Sequence, residues 1–81
     1  MASDAYWDKE ANKALKGKVV RRARYMTKAE ADGMGWYSRS VVIEFTDGTL
    51  IFPSQDDEGN DGGAMFGQTS EGKDLTMPVL R

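Results

Sequence analysis

The chain contains neither cysteine nor histidine among its 81 residues, and these two absences exclude several kinds of chemistry. Without cysteine there is no disulfide framework, no thiolate nucleophile and no zinc ribbon, which is usual in a reducing compartment. Without histidine, the usual general base at neutral pH and the usual transition-metal ligand are both missing. No P-loop, Gly-x-Ser-x-Gly or Ser-x-x-Lys pattern takes their place. We therefore expect a protein that is not an enzyme and that holds no cofactor or metal.

Long hydrophobic runs are missing as well. The N-terminal sequence Met-Ala-Ser-Asp-Ala-Tyr-Trp lacks the basic and apolar regions of a signal peptide. No run approaches the roughly 18 apolar residues that a membrane-spanning helix needs. The sequence therefore predicts a cytoplasmic protein without a membrane partner. Its length leaves room for one domain, residues 1–81, with a small core.

The strongest local pattern is a pair of apolar, β-branched and aromatic runs joined by Asp47-Gly48. Asp-Gly between two such runs is typical of a β-hairpin with a two-residue type I′ turn. The turn fixes which residues lie opposite each other, and a shift by one residue would move every side chain to the other face. In the register that this turn imposes, four apolar side chains share one face: Ile43, Phe45, Leu50 and Phe52.

A short amphipathic helix is predicted over residues 4–16, with Asp4 as its cap and Gly17 as its end. Its apolar residues recur at the spacing of one helical face. We expect Trp7, on that face, to anchor the helix on the sheet, because a tryptophan on an apolar stripe is usually a packing residue. The stripe consists of Trp7, Ala11, Ala14 and Leu15.

The remaining elements are short. Thr27 and Glu30 have the spacing of a capping box, and glycines follow within a few residues, so the helix that they begin is brief. Together the patterns predict an α+β fold with a small, strongly bent antiparallel sheet, an N-terminal helix and a short helical insertion. We predict a strand over 18–25, the helical insertion over 27–35, a surface loop over 53–63, a short strand at 64–66 and an edge strand over 75–80.

Charge is distributed unevenly along the chain, although the net charge is only −2. Residues 1–40 hold nine Lys or Arg against five Asp or Glu, whereas residues 41–81 hold two against eight. Such a bias suggests either that the two halves lie side by side and neutralise each other or that the basic half binds an anion. Because the domain as a whole is not basic, nucleic acid is the weaker reading.

The loop after the hairpin contains four acidic residues that could bind a partner or a cation: Asp56, Asp57, Glu58 and Asp61. Clustered carboxylates and glycines are features of calcium and magnesium sites. The spacing does not match a twelve-residue calcium loop, since Gln68 stands at the twelfth position counted from Asp57. The acids can instead bond their own backbone. We favour a third reading, in which they pair with arginines of the same or a neighbouring chain: Arg21, Arg22, Arg24 or Arg39.

Arginines and aromatic residues also lie close together along the basic half. Guanidinium groups suit phosphates and aromatic rings suit base stacking, so this set could bind an anion, a nucleotide or single-stranded nucleic acid. The alternative is that the rings close the core while the arginines extend outward. The candidate residues are Arg22, Arg24, Tyr25, Trp36, Tyr37 and Arg39.

The order of these features resembles that of known small domains. The opening Gly17-Lys18-Val19-Val20, the insertion and the Asp47-Gly48-Thr49 hairpin resemble the layout of SH3-like or Sm-like barrels over residues 17–66. The resemblance implies an SH3-like barrel-type sheet. Three further segments look like those of a group of small uncharacterised bacterial or phage proteins, which brings no known activity. These segments are Arg24 to Thr27, Gly35-Trp36 and Pro53 to Asp61.

The function expected from these patterns is that of a small non-enzymatic binding domain. Exposed sheet edges and the uneven charge favour self-association or a protein partner. The alternative is a binder that sequesters a small phosphorylated or nucleotide ligand at a subunit interface. A further alternative is single-stranded nucleic-acid binding.

Overall fold

The computed structural model describes residues 3–81 and confirms the α+β class. Its five strands form two antiparallel sheets, one of strands β1, β2 and β3 in that order and one of strands β4 and β5. The described residues form no closed barrel, so the SH3-like arrangement stays a prediction. The elements are α1 (Asp4–Leu15), β1 (Val20–Tyr25), α2 (Lys28–Gly33), β2 (Val41–Phe45), β3 (Leu50–Ile51), β4 (Met65–Gln68) and β5 (Asp74–Met77).

Helix α1 forms where the sequence predicts it, but it lies apart from the core. Its N-cap is Ser3 rather than Asp4, because the Ser3 hydroxyl accepts from the Tyr6 backbone N–H at 3.2 Å. The helix ends at Leu15, and Gly17 follows with φ +78°. None of its residues is buried, and Trp7 is 61% exposed. The expectation that Trp7 anchors the helix on the sheet is therefore wrong.

Helix α2 closes one end of the core. The capping box is present as predicted, with the Thr27 hydroxyl and the Glu30 carboxylate each accepting from the other residue's backbone N–H. The helix buries Ala31 against a small cluster of apolar side chains. The rings of Trp36 and Phe52 pack edge to face, with their centroids 5.8 Å apart. The cluster consists of Met26, Ala31, Trp36 and Val42.

The β2–β3 hairpin is found at the predicted place but in a different register. Ile43 lies opposite Ile51 and Glu44 opposite Leu50, one residue away from the predicted pairing. The Gly48 N–H donates to the Phe45 carbonyl at 3.0 Å, and Gly48 has φ +91°. No described residue other than glycine has positive φ, which excludes the type I′ turn. The turn is instead a three-residue loop that ends in a left-handed glycine.

This register decides which side chains of the hairpin face the core. Leu50 and Phe52 lie on the face of Val42 and Glu44, whereas Ile43 and Phe45 face the other side. Glu44 is buried, and Leu50 is 46% exposed. The apolar pattern alone favoured the other register because it took no account of an acidic side chain that is buried by pairing.

The rest of the chain is a loop and a second hairpin. The loop between β3 and β4 is narrowed by a bridge between Ser54 and Gly62. A Cβ at Gly62 would lie 2.7 Å from the Ser40 hydroxyl oxygen. The loop therefore comes so close to Ser40 that only glycine fits at position 62 without a shift of its neighbours. Strands β4 and β5 pair with each other, and β5 ends before Pro78, short of the predicted 75–80. Leu80 then forms an antiparallel bridge with Arg39.

Candidate functional site

Three arginines of β1 converge on one buried carboxylate of β2. The Glu44 side chain, which is 6% exposed, accepts from Arg21 Nη2 at 2.6 Å, from Arg22 Nε at 2.8 Å and from Arg24 Nε at 2.6 Å. A register shift between Val20 and Arg22 explains the crowding, because two adjacent residues of β1 then lie opposite one residue of β2. We call this set of Glu44 and its arginines the Glu44 cluster.

The Glu44 cluster extends to helix α2 through Arg24. Its guanidinium also binds Glu30, with Nη1 to Oε1 at 2.8 Å and Nη2 to Oε2 at 3.0 Å. Hydrogen bonds from Arg22, and then from Arg24, hold the pKa of Glu44 down to about 2. The bonds from Arg24 likewise hold the pKa of Glu30 down to about 2, and the two carboxylates raise the pKa of Arg24. Glu30, Glu44 and Arg24 are therefore charged at neutral pH.

The Glu44 cluster shows where the charge of the basic half goes. Three guanidiniums share two carboxylates, one of which comes from the acidic half of the chain. Glu30 itself belongs to the basic half, so the reading that the two halves neutralise each other stays a prediction. Lys18 and Asp47 form a further pair across the halves, which lowers the pKa of Asp47.

The acidic loop does not take part in this pairing. Among residues 3–81, no salt bridge joins a carboxylate of the loop to an arginine, so the predicted pairing within one chain is wrong. Asp56 accepts from the Asn60 side chain at 2.9 Å and from the backbone N–H groups of Glu58 and Asn60. Asp57 and Glu58 have exposed side chains.

Asp61 has a separate structural role in the same loop. Its Oδ1 accepts three backbone N–H groups, from Tyr37 at 3.1 Å, Ser38 at 3.0 Å and Gly62 at 2.7 Å. The bonds from Ser38 and Gly62 are the main cause of the lowered pKa of Asp61. This carboxylate therefore ties the loop to the segment before β2. Across residues 3–81, no three His, Cys, Asp or Glu side chains are grouped so that they could hold a metal ion.

The predicted aromatic residues have three different environments. Trp36 is buried, and its Nε1 donates to the Gly59 carbonyl at 2.8 Å. Tyr25 is half-buried, and its hydroxyl donates to the Pro78 carbonyl at 2.8 Å. Tyr37 is 85% exposed. Trp36 therefore closes the core, as the second of the two readings expects, Tyr25 bonds the C-terminal segment, and Tyr37 is exposed.

A cleft of about 300 Å³ lies beside α2. Three of the predicted binding residues line it: Trp36, Tyr37 and Arg39. Arg39 lines it and differs from the β1 arginines in forming no salt bridge with an Asp or Glu side chain of residues 3–81. Its Nη1 donates to the Met26 carbonyl at 3.2 Å and its Nη2 to the Arg81 main-chain oxygen at 3.3 Å. The lining residues are Lys28, Ala31, Asp32, Trp36, Tyr37, Arg39 and Arg81.

Sequence reasoning missed Glu44, Lys28 and Arg81. For Glu44 a signal existed, since it is the one acid in a buried apolar run that pairs with an arginine-rich strand. For Lys28 and Arg81 no local signal existed, because the fold brings them to the cleft from distant parts of the chain.

Comparisons with known proteins give no relatives: no protein-family model, no curated protein and no solved structure matches this chain. Among the helices of residues 3–81, none has both the length and the apolar character that crossing a bilayer requires. The case for a function therefore depends on the geometry described above.

Proposed function

We propose that this chain is a non-enzymatic interaction domain that self-associates through helix α1. One observation supports the proposal above all: a twelve-residue helix with an apolar stripe buries none of its residues. A helix of this length is marginal in water on its own, and helices in proteins are stabilised mainly by packing of their apolar face. The stripe on α1 therefore requires a surface that the chain itself does not provide.

The accessible surface of the chain supports the same conclusion. It measures 6187 Å², about 1,300 Å² more than the roughly 4,900 Å² of a compact monomer of this mass. The radius of gyration is 13.9 Å, against about 12 Å for a compact domain of this length. The excess is larger than the roughly 800 Å² that each partner buries in a standard interface. A dimer therefore has enough surface available.

The stripe has the spacing of a helix–helix contact. Trp7, Ala11 and Ala14 are separated by four and then three residues, which is the repeat of a two-helix seam, and the alanines allow a close approach. Leu15 lies beside them, 39% exposed. A second copy of α1 offers an identical stripe, as two-fold symmetry requires.

Charge along α1 favours an antiparallel pair. Asp4 and Asp8 lie toward the start of the helix, and Lys13 and Lys16 toward its end. In an antiparallel pair, the acidic start of each helix lies beside the basic end of the other. A parallel pair would place like charges together. We therefore propose that the occupant of the stripe is α1 of a second copy.

Sedimentation at micromolar concentration tests this proposal. We expect a species of twice the 9.0 kDa chain mass. Trp7→Ser should shift it to the monomer while circular dichroism stays unchanged, because Trp7 is 61% exposed and contacts only Tyr6 among the aromatic residues. Phe66→Ser, which removes a 76% exposed aromatic far from α1 in sequence, is the matched control and should leave the dimer intact.

Three results would contradict the proposal. A wild-type monomer would show that α1 has no partner in a second copy, and a different protein would then be the occupant. Dissociation by Phe66→Ser alone would place the interface on the β4–β5 hairpin. An intact Trp7→Ser dimer would exclude the stripe.

The SH3-like arrangement remains part of the proposal. It is supported by the antiparallel β1–β2–β3 sheet, by the helical insertion between β1 and β2, and by the turn that contains Asp47 and Gly48. The Glu44 cluster argues against single-stranded nucleic acid as the ligand, because its three arginines are already paired with carboxylates.

A further inference from the structure

We infer that the outer edge of strand β4 pairs in antiparallel register with the same edge of a second copy, with Gly67 on the two-fold axis. The pairing joins the two β4–β5 hairpins into one sheet of four strands, in which the two β4 strands are central. This contact is separate from the α1 stripe, so it goes beyond the function proposed above and gives each chain a second surface for its copies.

Strand β4 has a strand on one side only. Among the described residues it pairs with β5 alone, and its Phe66 side chain is 76% exposed. In an antiparallel pair, the backbone groups of successive residues point alternately toward the neighbouring strand and away from it. The Thr69 N–H donates to the Lys73 carbonyl at 2.8 Å, so the backbone groups of Gly67 also point toward β5. The N–H and C=O groups of Phe66 and Gln68 therefore point to the free edge.

The β4 edge also lacks the features that keep exposed strands from pairing. Natural edge strands carry charged side chains or proline, or they are very short. Strand β1 carries three arginines, β3 has two residues, and β5 contains Asp74 and ends before Pro78. Residues 62–70, which include β4, contain no charged residue and no proline. Among the described strands, β4 is therefore the edge most open to another strand.

A second copy of β4 is the occupant that fits this edge. With Gly67 on the two-fold axis, the outward groups of Phe66 meet those of Gln68 of the second copy and the reverse, which makes four backbone hydrogen bonds. Gly67 lies opposite its own copy with the Cα atoms about 4.5 Å apart, and no side chain obstructs this approach. The two Phe66 rings lie diagonally across the pair on one face, within reach of each other.

The contact is small. It consists of four hydrogen bonds and two rings, less than the roughly 800 Å² that each partner buries in a standard interface. We therefore expect it to form at about 0.5 mM and not at the micromolar concentration at which the α1 pair is expected. Phe66→Ser consequently leaves the micromolar dimer intact and weakens the β4 contact.

Disulfide trapping tests the register, because the chain has no cysteine and a single introduced one can bond only to another copy. Cα atoms about 4.5 Å apart lie within the range that a disulfide spans. A Cβ at Gly67 has no neighbour closer than 3.7 Å, so Gly67→Cys should fold. We expect it to form a covalent dimer under mild oxidation at about 0.5 mM. Ser70→Cys, exposed in the turn after β4, is the control and should crosslink far less, since its copies lie about 20 Å apart in this register.

Charge reversal tests the same contact without a covalent bond. In the Trp7→Ser chain, which lacks the α1 contact, Gly67→Lys and Gly67→Glu should each sediment as monomers at about 0.5 mM, because like charges then lie directly opposite each other. An equimolar mixture of the two should restore the dimer. Ser70→Lys adds the same charge away from the axis and should leave the Trp7→Ser dimer intact. Circular dichroism checks that each variant folds.

Three results would overturn the inference. Equal crosslinking of Gly67→Cys and Ser70→Cys would show that the copies collide without this register. A Trp7→Ser chain that stays monomeric at about 0.5 mM would show that the β4 edge remains unpaired. Dimers of Gly67→Lys as stable as those of the parent would place the contact elsewhere. A wild-type monomer at micromolar concentration contradicts the α1 proposal alone, since the tests on β4 do not use the α1 stripe.

Discussion

Two regions of this chain differ sharply in what they bury. Residues 26–45 contain every buried side chain found in residues 3–81, polar as well as apolar. Helix α1 buries none, and strands β4 and β5 expose Phe66 and Leu75. We call residues 26–45 the core segment, and α1 together with β4 and β5 the flanks.

This difference in burial separates the residues that stabilise the fold from those that remain available for association. Buried polar groups of the core segment have hydrogen-bond partners elsewhere in the chain: the Ser40 hydroxyl, which is fully buried, donates to the Pro53 carbonyl at 2.8 Å and accepts from the Gly63 N–H at 3.0 Å. The flanks keep apolar surface in water, which costs free energy unless a partner covers it. Changes in the core segment should therefore unfold the chain, and changes on the α1 stripe should alter its oligomeric state.

The two tryptophans provide the largest contrast between these regions. Trp36, which is 4% exposed, should cost about 3–5 kcal/mol of unfolding free energy when replaced by alanine, because its removal leaves a cavity in the core cluster. Trp7→Ala should leave the stability of the isolated monomer nearly unchanged. Urea unfolding at low protein concentration measures both. Equal losses for the two variants would show that α1 is part of the core after all.

Sequence reasoning located the elements of both regions because their signals are local. The capping box at Thr27 and Glu30, the stripe on α1 and the glycine turn at Gly48 each depend on residues within a few positions of one another. Partners that are distant in sequence were harder to predict. The stripe correctly predicted a helix, but it did not show whether its partner lies in the same chain.

The candidate site could be predicted in part. Arg39 and Tyr37 line the cleft as members of the predicted binding set, and Trp36 forms its wall. The sequence alone could not show that the β1 arginines are paired with a carboxylate and that Arg39 is not paired with Glu44. This distinction depends on where the fold places Glu44. The burial of Glu44 depends on the hairpin register, and the register depends on one additional residue in the turn.

The turn itself is the next test. Gly48→Val should cost about 1–3 kcal/mol, since a β-branched residue is strained at φ +91°. Nothing lies within 4 Å of a Cβ at this position, so the loss would come from the backbone and not from a clash. Gly33→Ala is the control. Gly33 likewise has nothing within 4 Å of a Cβ, but its φ is not positive. Alanine is also a better helix former than glycine, so this variant should not lose stability. Thermal melts compare them, and a Gly48→Val melting temperature equal to that of wild type would exclude the left-handed turn.

The smallest predicted effect concerns acid and the Arg24–Glu30 pair. Bonds from Arg24 lower the pKa of Glu30 from 4.5 to about 2 in the folded chain. Between these two values the unfolded chain holds a proton that the folded chain does not, so lowering the pH favours unfolding. The stabilisation from this pair is fully present above about pH 5, and it is lost as the pH falls through the folded value near 2.

Glu30→Gln isolates this charge, because glutamine can still accept from the Thr27 N–H in the capping box. We expect the variant to be slightly less stable than wild type at pH 7 and to lose less stability between pH 5 and pH 2. The effect should be modest, since the Glu30 side chain is 40% exposed and its pairing is screened by solvent. Glu71→Gln, an exposed acid in the flank between β4 and β5, is the control and should follow the wild-type curve. Melting temperatures measured across this pH range test the prediction. Parallel curves of melting temperature against pH for wild type and Glu30→Gln would show that Arg24 is held by Glu44 alone.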